Sequence, residues 1–185
     1  NGGGAGVLAA GALALGGGTL AALAPDTLAA LDACLPATWP RANPVDIIGD
    51  APVQRYADAL RVLLAAPEVD GVLFMHAPTA IVPADAIAQA CLPLLQGAAK
   101  PVLTCWLGGA VVRAAREACA QAGVAGYDTP ERAVAGWLQL TTWVRNQAAL
   151  HQLPEATLAG FTPDLAAARA LVAAALDAGR EWLDE

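Results

Sequence analysis

Short unbroken apolar runs alternate along this chain with longer segments in which apolar residues recur every three or four positions. The runs at 20–24, 72–75, 101–107 and 124–127 are bounded by turn residues such as Asp70-Gly71, His76-Ala77-Pro78 and Gly108-Gly109. Runs of that length and setting predict buried strands. The segment 5–15 is mostly Ala, Val and Leu, which predicts a buried helix closed by Gly16, Gly17 and Gly18. A second helix is predicted from Pro25, with Leu28, Leu31 and Leu35 on one face, and a third from Pro52, with Tyr56, Leu60, Leu63 and Leu64. Further helices are predicted over 83–96 (with a bend at Pro93), over 110–122 ending at Gly123, and over 130–150 after Thr129-Pro130-Glu131. Residues 151–162 read as a linker. They lead to an Ala-rich helix over 163–183, with Leu165, Ala168, Val172 and Leu176 on one face and no cap at Asp184-Glu185.

Strands that alternate with helices, and are apolar on both faces, imply an α/β fold with a doubly wound, flavodoxin-like parallel sheet covered by helices on both sides. Such a sheet opens with a strand before its first Gly-rich loop. Here Asn1 already stands in that loop, so the expectation is a first strand upstream of residue 1. Composition narrows the class. The 185 residues carry 10 Lys and Arg against 17 Asp and Glu, a net charge of −7. That balance argues against a nucleic-acid binder, which needs a basic face, and a single lysine, Lys100, gives no polybasic membrane patch. Residues 1–25 are uncharged, but eight of them are Gly and no basic segment precedes them, so neither a signal peptide nor a membrane span is expected. Cys34, Cys91, Cys105 and Cys119 form no C-x-x-C pair and lie far from His76 and His151. They read as reduced core thiols of a cytoplasmic protein, with no metal site.

The strongest local chemistry lies in Asn1, Gly2, Gly3, Gly4, Ala5 and Gly6. Glycines just before a helix leave backbone N–H groups uncovered at its positive end, which suits a phosphate. The same residues would also make a ligand-free tight turn. Gly4-Ala5-Gly6-Val7-Leu8-Ala9, with Asp26 beyond, further matches a dinucleotide fingerprint. Against that last reading, Pro25-Asp26-Thr27 serves equally as a helix cap. Asn43 and Asp46 stand in a loop where Asp50 is placed to cap the next helix and Asp46 is free to orient a loop or a histidine. His76, followed by Pro78, Thr79 and Ala80, and then Gly108 and Gly109, fall after strands on the ligand-binding edge. His76 has no identifiable orienting acid and reads as structural, while His151 in the linker reads as solvated.

In this order and spacing, NGGGAGVLAA, NPVDIIGDA, HAPTA, TCWLGG and YDTPERAV resemble the NDP-forming acyl-CoA synthetases, the ADP-forming acetyl-CoA synthetase relatives of succinyl-CoA synthetase. The resemblance covers residues 1–150 as a CoA-ligase flavodoxin-like domain and makes 151–185 a lead-in to an ATP-grasp domain. It implies a reaction in which acid, CoA and NTP give acyl-CoA, NDP and phosphate through an acyl phosphate and a phosphohistidine. The phosphohistidine would belong to an upstream domain, since no matching segment occurs here. This chain, inactive alone and with no catalytic residue of its own, would supply residues 1–6 to the phosphate. Pro78, Thr79, Ala80, Gly108 and Gly109 would face the acyl substrate, with Asn43 and Asp46 in support. Implied cofactors are CoA and ATP or ADP with Mg in the full-length protein, none held tightly here. Implied partners are upstream CoA-binding and phosphohistidine domains, a downstream ATP-grasp domain, a small acyl substrate and a possible second copy, with no nucleic acid or membrane. The chain departs from the family at Gly11, where an Asp is common. A second arrangement with the same motifs is a non-catalytic acyl-CoA-sensing domain fused to a GNAT-type protein lysine acetyltransferase.

Overall fold

The computed structural model describes residues 1–152, 160, 162–180 and 182–183. It divides into two compact units, Asn1–Arg145 and Asn146–Glu185. In the first, three parallel strands stand in the order β1 (Val72–His76), β2 (Val102–Trp106) and β3 (Gly126–Tyr127). The register pairs Val72 with Val102, His76 with Trp106 and Cys105 with Tyr127. Around the sheet run α1 (Gly3–Leu15), α2 (Pro25–Asp32), α3 (Val53–Ala65), α4 (Ala84–Gln96), a 3-10 turn (Gly109–Val112), α5 (Arg113–Gln121) and, up to Arg145, α6 (Pro130–Leu150).

Side chains alternate along a strand, so each face has its own cover. Val72 and Phe74 share a buried cluster with Trp106 and with Tyr56 and Leu60 of α3, Ile87 and Cys91 of α4, and Cys119 of α5. The opposite face meets α1 and α6. Gly6 approaches the Met75 side chain, and a Cβ on Gly71 would stand 2.2 Å from the Trp137 ring. A parallel sheet with helices on both faces is the α/β architecture that the alternating pattern predicts.

Several expectations are corrected. Residues 20–24 run without a strand ladder, leaving three strands rather than four among the described residues. A strand needs a paired neighbour, and this segment is tied instead by single bonds. Asn43 Nδ2 donates to the Ala21 carbonyl at 2.9 Å, and the Ala24 amide donates to Glu68 Oε1 at 2.8 Å. Neither Asp26 nor Asp50 caps a helix through its side chain. Asp26 lies inside the first turn of α2, and Asp50 pairs with Arg55 at 2.6 Å. The helix beginning near Asn1 is not buried all round. Only Gly6 and Ala9 are buried, while Val7, Leu8 and Leu15 are exposed. The helix expected over 110–122 starts as a 3-10 turn because Gly108 and Gly109 both take left-handed φ.

In the second unit, α7 (Leu165–Asp177) is shorter than the predicted 163–183. Asp164 Oδ1 caps it by accepting from the Ala167 amide, and Gly179, at φ +67°, follows its end. Most of the predicted linker, Phe161 and the terminal Asp184-Glu185 lie outside the described residues. All four cysteines are free thiols, and three of them are buried. Among the described residues, no helix is long and apolar enough to cross a membrane.

Candidate functional site

The chain enters α1 through Gly2, whose left-handed backbone (φ +88°) only glycine adopts freely. A Cβ there would also stand 2.8 Å from the Ala77 Cβ. The Gly2 carbonyl accepts from the amides of Ala5 and Gly6, at 3.0 and 3.3 Å. Among the described residues the amides of Gly3 and Gly4 meet no acceptor, and no side chain caps the helix. Both residues are exposed. Two free donors at the positive end of a 13-residue helix form an anion-binding geometry.

The rest of this edge packs around that turn. Asn1 spends its side chain on Ala77, donating from Nδ2 to its carbonyl and accepting its amide at Oδ1, each at 3.0 Å. Asp46 Oδ1 accepts from the Ile48 amide at 3.0 Å, and Oδ2 lies 2.6 Å from where a Cβ on Gly3 would stand. Gly6 sits against the Pro44 ring. The loop after β2 is keyed to the loop after β1, because a Cβ on Gly108 would stand 2.6 Å from Pro78 Cγ. Thr79 Oγ1 accepts from the Ile81 amide at 3.5 Å, Ala80 is exposed, and Gly109 borders open space. The structure thus joins residues 1–6, Asp46, Ala77-Pro78 and Gly108 by direct approaches. Asn43 reaches the Ala21 carbonyl instead.

His76 is fully buried beneath this edge. Tyr56 and Trp106 flank its ring, with centroids 5.7 and 5.5 Å away, and Nδ1 hydrogen-bonds the Tyr56 hydroxyl at 3.1 Å. Burial, with the amino terminus as a second cause, pushes its pKa down to about 4. It is a neutral core residue, as its lack of an acid partner suggested. Burial pushes the Cys91 and Cys105 thiols up to about 12 and 11, so neither is a thiolate at neutral pH. No three His, Cys, Asp or Glu side chains among the described residues converge as metal ligands.

Sequence reasoning missed the clamp between Asn1 and Ala77, and it left open which loop or histidine Asp46 would meet, where the structure gives the loop at Gly3. At the entry to α6, placed from the sequence at Thr129-Pro130-Glu131, Thr129 Oγ1 accepts the Arg132 amide and Arg132 pairs with Asp128 at 3.2 Å. Only this last feature had a local signal, a hydroxyl three residues before the amide it receives. The dinucleotide reading loses its geometry. The fingerprint needs its first glycine in the strand-to-helix turn, but Gly4 already lies inside α1.

The Ligase-CoA domain family matches residues 1–151. The chain belongs to that family. It is 34% identical over 134 residues to an acetate–CoA ligase (ADP-forming) I of Archaeoglobus fulgidus, covering 72% of this chain and 19% of the relative. It is 29% identical over 103 residues to the alpha subunit of an acetate–CoA ligase (ADP-forming) I of Pyrococcus furiosus, covering 55% of this chain and 22% of the relative. Among solved structures it resembles the dinucleotide forming acetyl-coenzyme A synthetase 1 of Ca. Korarchaeum cryptofilum. The apo form gives a TM-score of 0.74 at 30% identity, covering 80% of this chain and 33% of that one. The form in complex with phosphate and ADP gives 0.75 at 29%, covering 83% and 34%. This Ligase-CoA domain therefore spans about a fifth of the curated relatives' length and a third of the solved chains.

Proposed function

We propose that this Ligase-CoA domain is the phosphate-facing part of a multidomain NDP-forming acyl-CoA synthetase, which converts acid, CoA and NTP to acyl-CoA, NDP and phosphate. One observation carries the reading: the Gly2 turn leaves the Gly3 and Gly4 amides uncovered at the start of α1, on the edge where the loops bearing Pro78 and Gly108 also meet. The relatives' names, acetate–CoA ligases, favour this over an acyl-CoA sensor fused to an acetyltransferase.

In this reading the two amides and the α1 dipole hold the phosphoryl group carried by a histidine of an upstream domain. Fixed donors suit that task, because they stabilise the charge of the transferring group without a reorganisation cost. Pro78, Thr79, Ala80, Gly108 and Gly109 border the acyl group. CoA, nucleotide and Mg belong to the larger cytoplasmic protein, through CoA-binding and ATP-grasp domains outside this one. In this reading the chain supplies no nucleophile: His76 is buried and neutral, and burial pushes the pKa of all four thiols upward, including half-buried Cys34.

The test uses the full-length protein, γ-labelled ATP and a search for acid-labile phosphate, with and without Gly4→Asp. A Cβ at Gly4 meets nothing within 4 Å, and an acid in the first helical turn stabilises the helix. Gly3 is a poorer choice, because its Cβ would strike Asp46. The expected outcome is label on the wild type that acid plus CoA discharges. In Gly4→Asp, discharge falls by roughly 100-fold or more while the melting temperature holds or rises. Unchanged discharge in the variant removes the amides from the site, and an unlabelled wild type that still binds acyl-CoA makes the protein a sensor.

A further inference from the structure

Asp46 stands where the proposed site must choose its anion. We propose that it is a specificity-determining residue, admitting a phosphate or phosphoryl group that carries a hydroxyl proton and rejecting an oxyanion that carries none, such as sulfate. The inference rests on the phosphate reading above and deepens it.

Asp46 is half-buried and spends one oxygen within its own loop, where Oδ1 accepts from the Ile48 amide at 3.0 Å. Oδ2 lies 2.6 Å from where a Cβ on Gly3 would stand, beside the first of the two amide donors. Among the described residues no donor meets Oδ2. The Asn1 amino group feels the carboxylate but forms no ion pair with it, donating instead to the Met75 carbonyl at 3.4 Å.

The loop keeps that oxygen in place. Ile48 holds a left-handed backbone (φ +67°), which a β-branched residue rarely adopts. Contacts on both sides hold it there. Its amide goes to Asp46, its carbonyl accepts from the Ala51 amide at 3.3 Å, and Arg55 Nη1 donates to the Ile47 carbonyl at 3.1 Å and to Asp50 Oδ1 at 2.6 Å. On the other flank, a Cβ on Gly6 would stand 3.1 Å from Pro44 Cβ, so the loop rests directly on α1. Strain of this kind survives only where its surroundings over-determine it, and what it fixes here is the placement of the Asp46 carboxylate.

An ionised carboxylate accepts hydrogen bonds and donates none. The two amides therefore draw an anion toward a point where another negative charge already stands. A fully ionised oxyanion has no donor to offer Oδ2 and meets repulsion there. Hydrogen phosphate turns its P–OH to Oδ2 and its ionised oxygens to the amides, so the closest approach becomes a charge-assisted hydrogen bond. Repulsion between the net charges remains in both cases. Asp46 thus lowers affinity in general and selects by lowering it unequally. One hydrogen bond to a charged group is enough to separate the two anions by roughly tenfold to 100-fold.

Calorimetry on the 185-residue chain with phosphate, arsenate and sulfate tests this, at a mildly alkaline pH where all three are dianions. Phosphate and arsenate then keep one hydroxyl proton and sulfate none, and arsenate, the largest, separates size from protonation. The wild type is expected to prefer phosphate and arsenate over sulfate by roughly tenfold or more. Asp46→Asn keeps an acceptor for the Ile48 amide and puts an NH2 group in place of Oδ2. Affinity for phosphate and sulfate then rises, most of all for sulfate, and the preference disappears. Asp46→Ser, whose hydroxyl also accepts from the amide two residues on, is the second variant and should lose the preference too. Equal wild-type affinity for phosphate and sulfate overturns the proposal. So does a preference that survives in both variants, or arsenate that follows sulfate. Binding of none of the three anions by any form is a different failure, since it removes the phosphate site itself and the proposal with it.

Discussion

His76 closes β1 with its ring held between Tyr56 and Trp106, and its Nε2 meets no hydrogen-bond partner among the described residues. A proton there would place an unpaired charge in the core, which is why burial holds the folded pKa at about 4 against 6.5 for the free side chain. Above pH 6.5 the folded and unfolded states are both neutral at this residue, and its full contribution is present. As pH falls from 6.5 toward 4, the unfolded chain binds a proton that the folded chain refuses, so stability drops. At 1.36 kcal/mol per pKa unit the loss is about 3 kcal/mol, complete once the folded residue also titrates. Urea midpoints measured from pH 7 to 4 should show this slope, and His76→Phe should remove most of it; an undiminished slope assigns the loss to carboxylates. The sequence showed His76 without an acid, but the two rings that enclose it come from Tyr56 and Trp106, far away in the chain. Asp46 was legible in part: the sequence left it free to orient a loop or a histidine, and its second oxygen lies beside Gly3, which no spacing identifies. Asp46→Asn keeps the acceptor for the Ile48 amide and deletes a negative charge next to the anion donors. Phosphate affinity, read by calorimetry, should rise by about tenfold, in line with a Coulomb change of about 1–2 kcal/mol at a partly exposed site. A fall in affinity would mean that the carboxylate itself takes part in holding the ligand.

Elements bounded by Gly and Pro were legible because such residues act through local backbone geometry. Pro25 opens α2, Thr129-Pro130 opens α6, and Gly123 follows α5. Residues 20–24 were not, since apolar content marks a segment for burial but pairing is decided by a neighbour. α1 failed for a related reason. Its composition is apolar all round, and only the side toward Pro44 and Met75 is covered. Close approach between elements also left no trace in periodicity. Gly71 precedes β1 and reads as a plain turn residue, yet a Cβ on it would stand 2.2 Å from the Trp137 ring of α6 and 2.9 Å from the Pro101 carbonyl. The glycine lets α6 seat on the sheet. Gly71→Ala should therefore cost about 1–3 kcal/mol through overpacking. The control, Gly11→Ala, meets open space inside α1 and should gain up to about 1 kcal/mol from helix propensity. Denaturant titration of the two variants distinguishes the contact from a general glycine effect, and equal shifts in both would refute it.

At the scale of the molecule, the proposed anion site works against its own surroundings. The chain carries a net charge of −7, and Asp46 adds a negative charge at the loop itself. What draws a phosphate is local: two amides and a helix end equivalent to about half a positive charge, whose effect fades within the first turn. The two fields respond differently to salt. Raising ionic strength from 0.01 to 0.15 M shortens the screening length from roughly 30 Å to about 8 Å. Most of the net repulsion is lost over that range, while hydrogen bonds at contact distance are kept. Phosphate affinity should consequently stay level or rise several-fold as salt is added, provided the added anion is too bulky to compete at α1. A site built on arginine would do the reverse, because its attraction is the part that salt screens. Calorimetric titrations with phosphate at the two ionic strengths separate the cases. A steep fall in affinity moves the binding to side-chain cations, and a flat or rising response leaves the Gly3 and Gly4 amides as the groups that hold the phosphate.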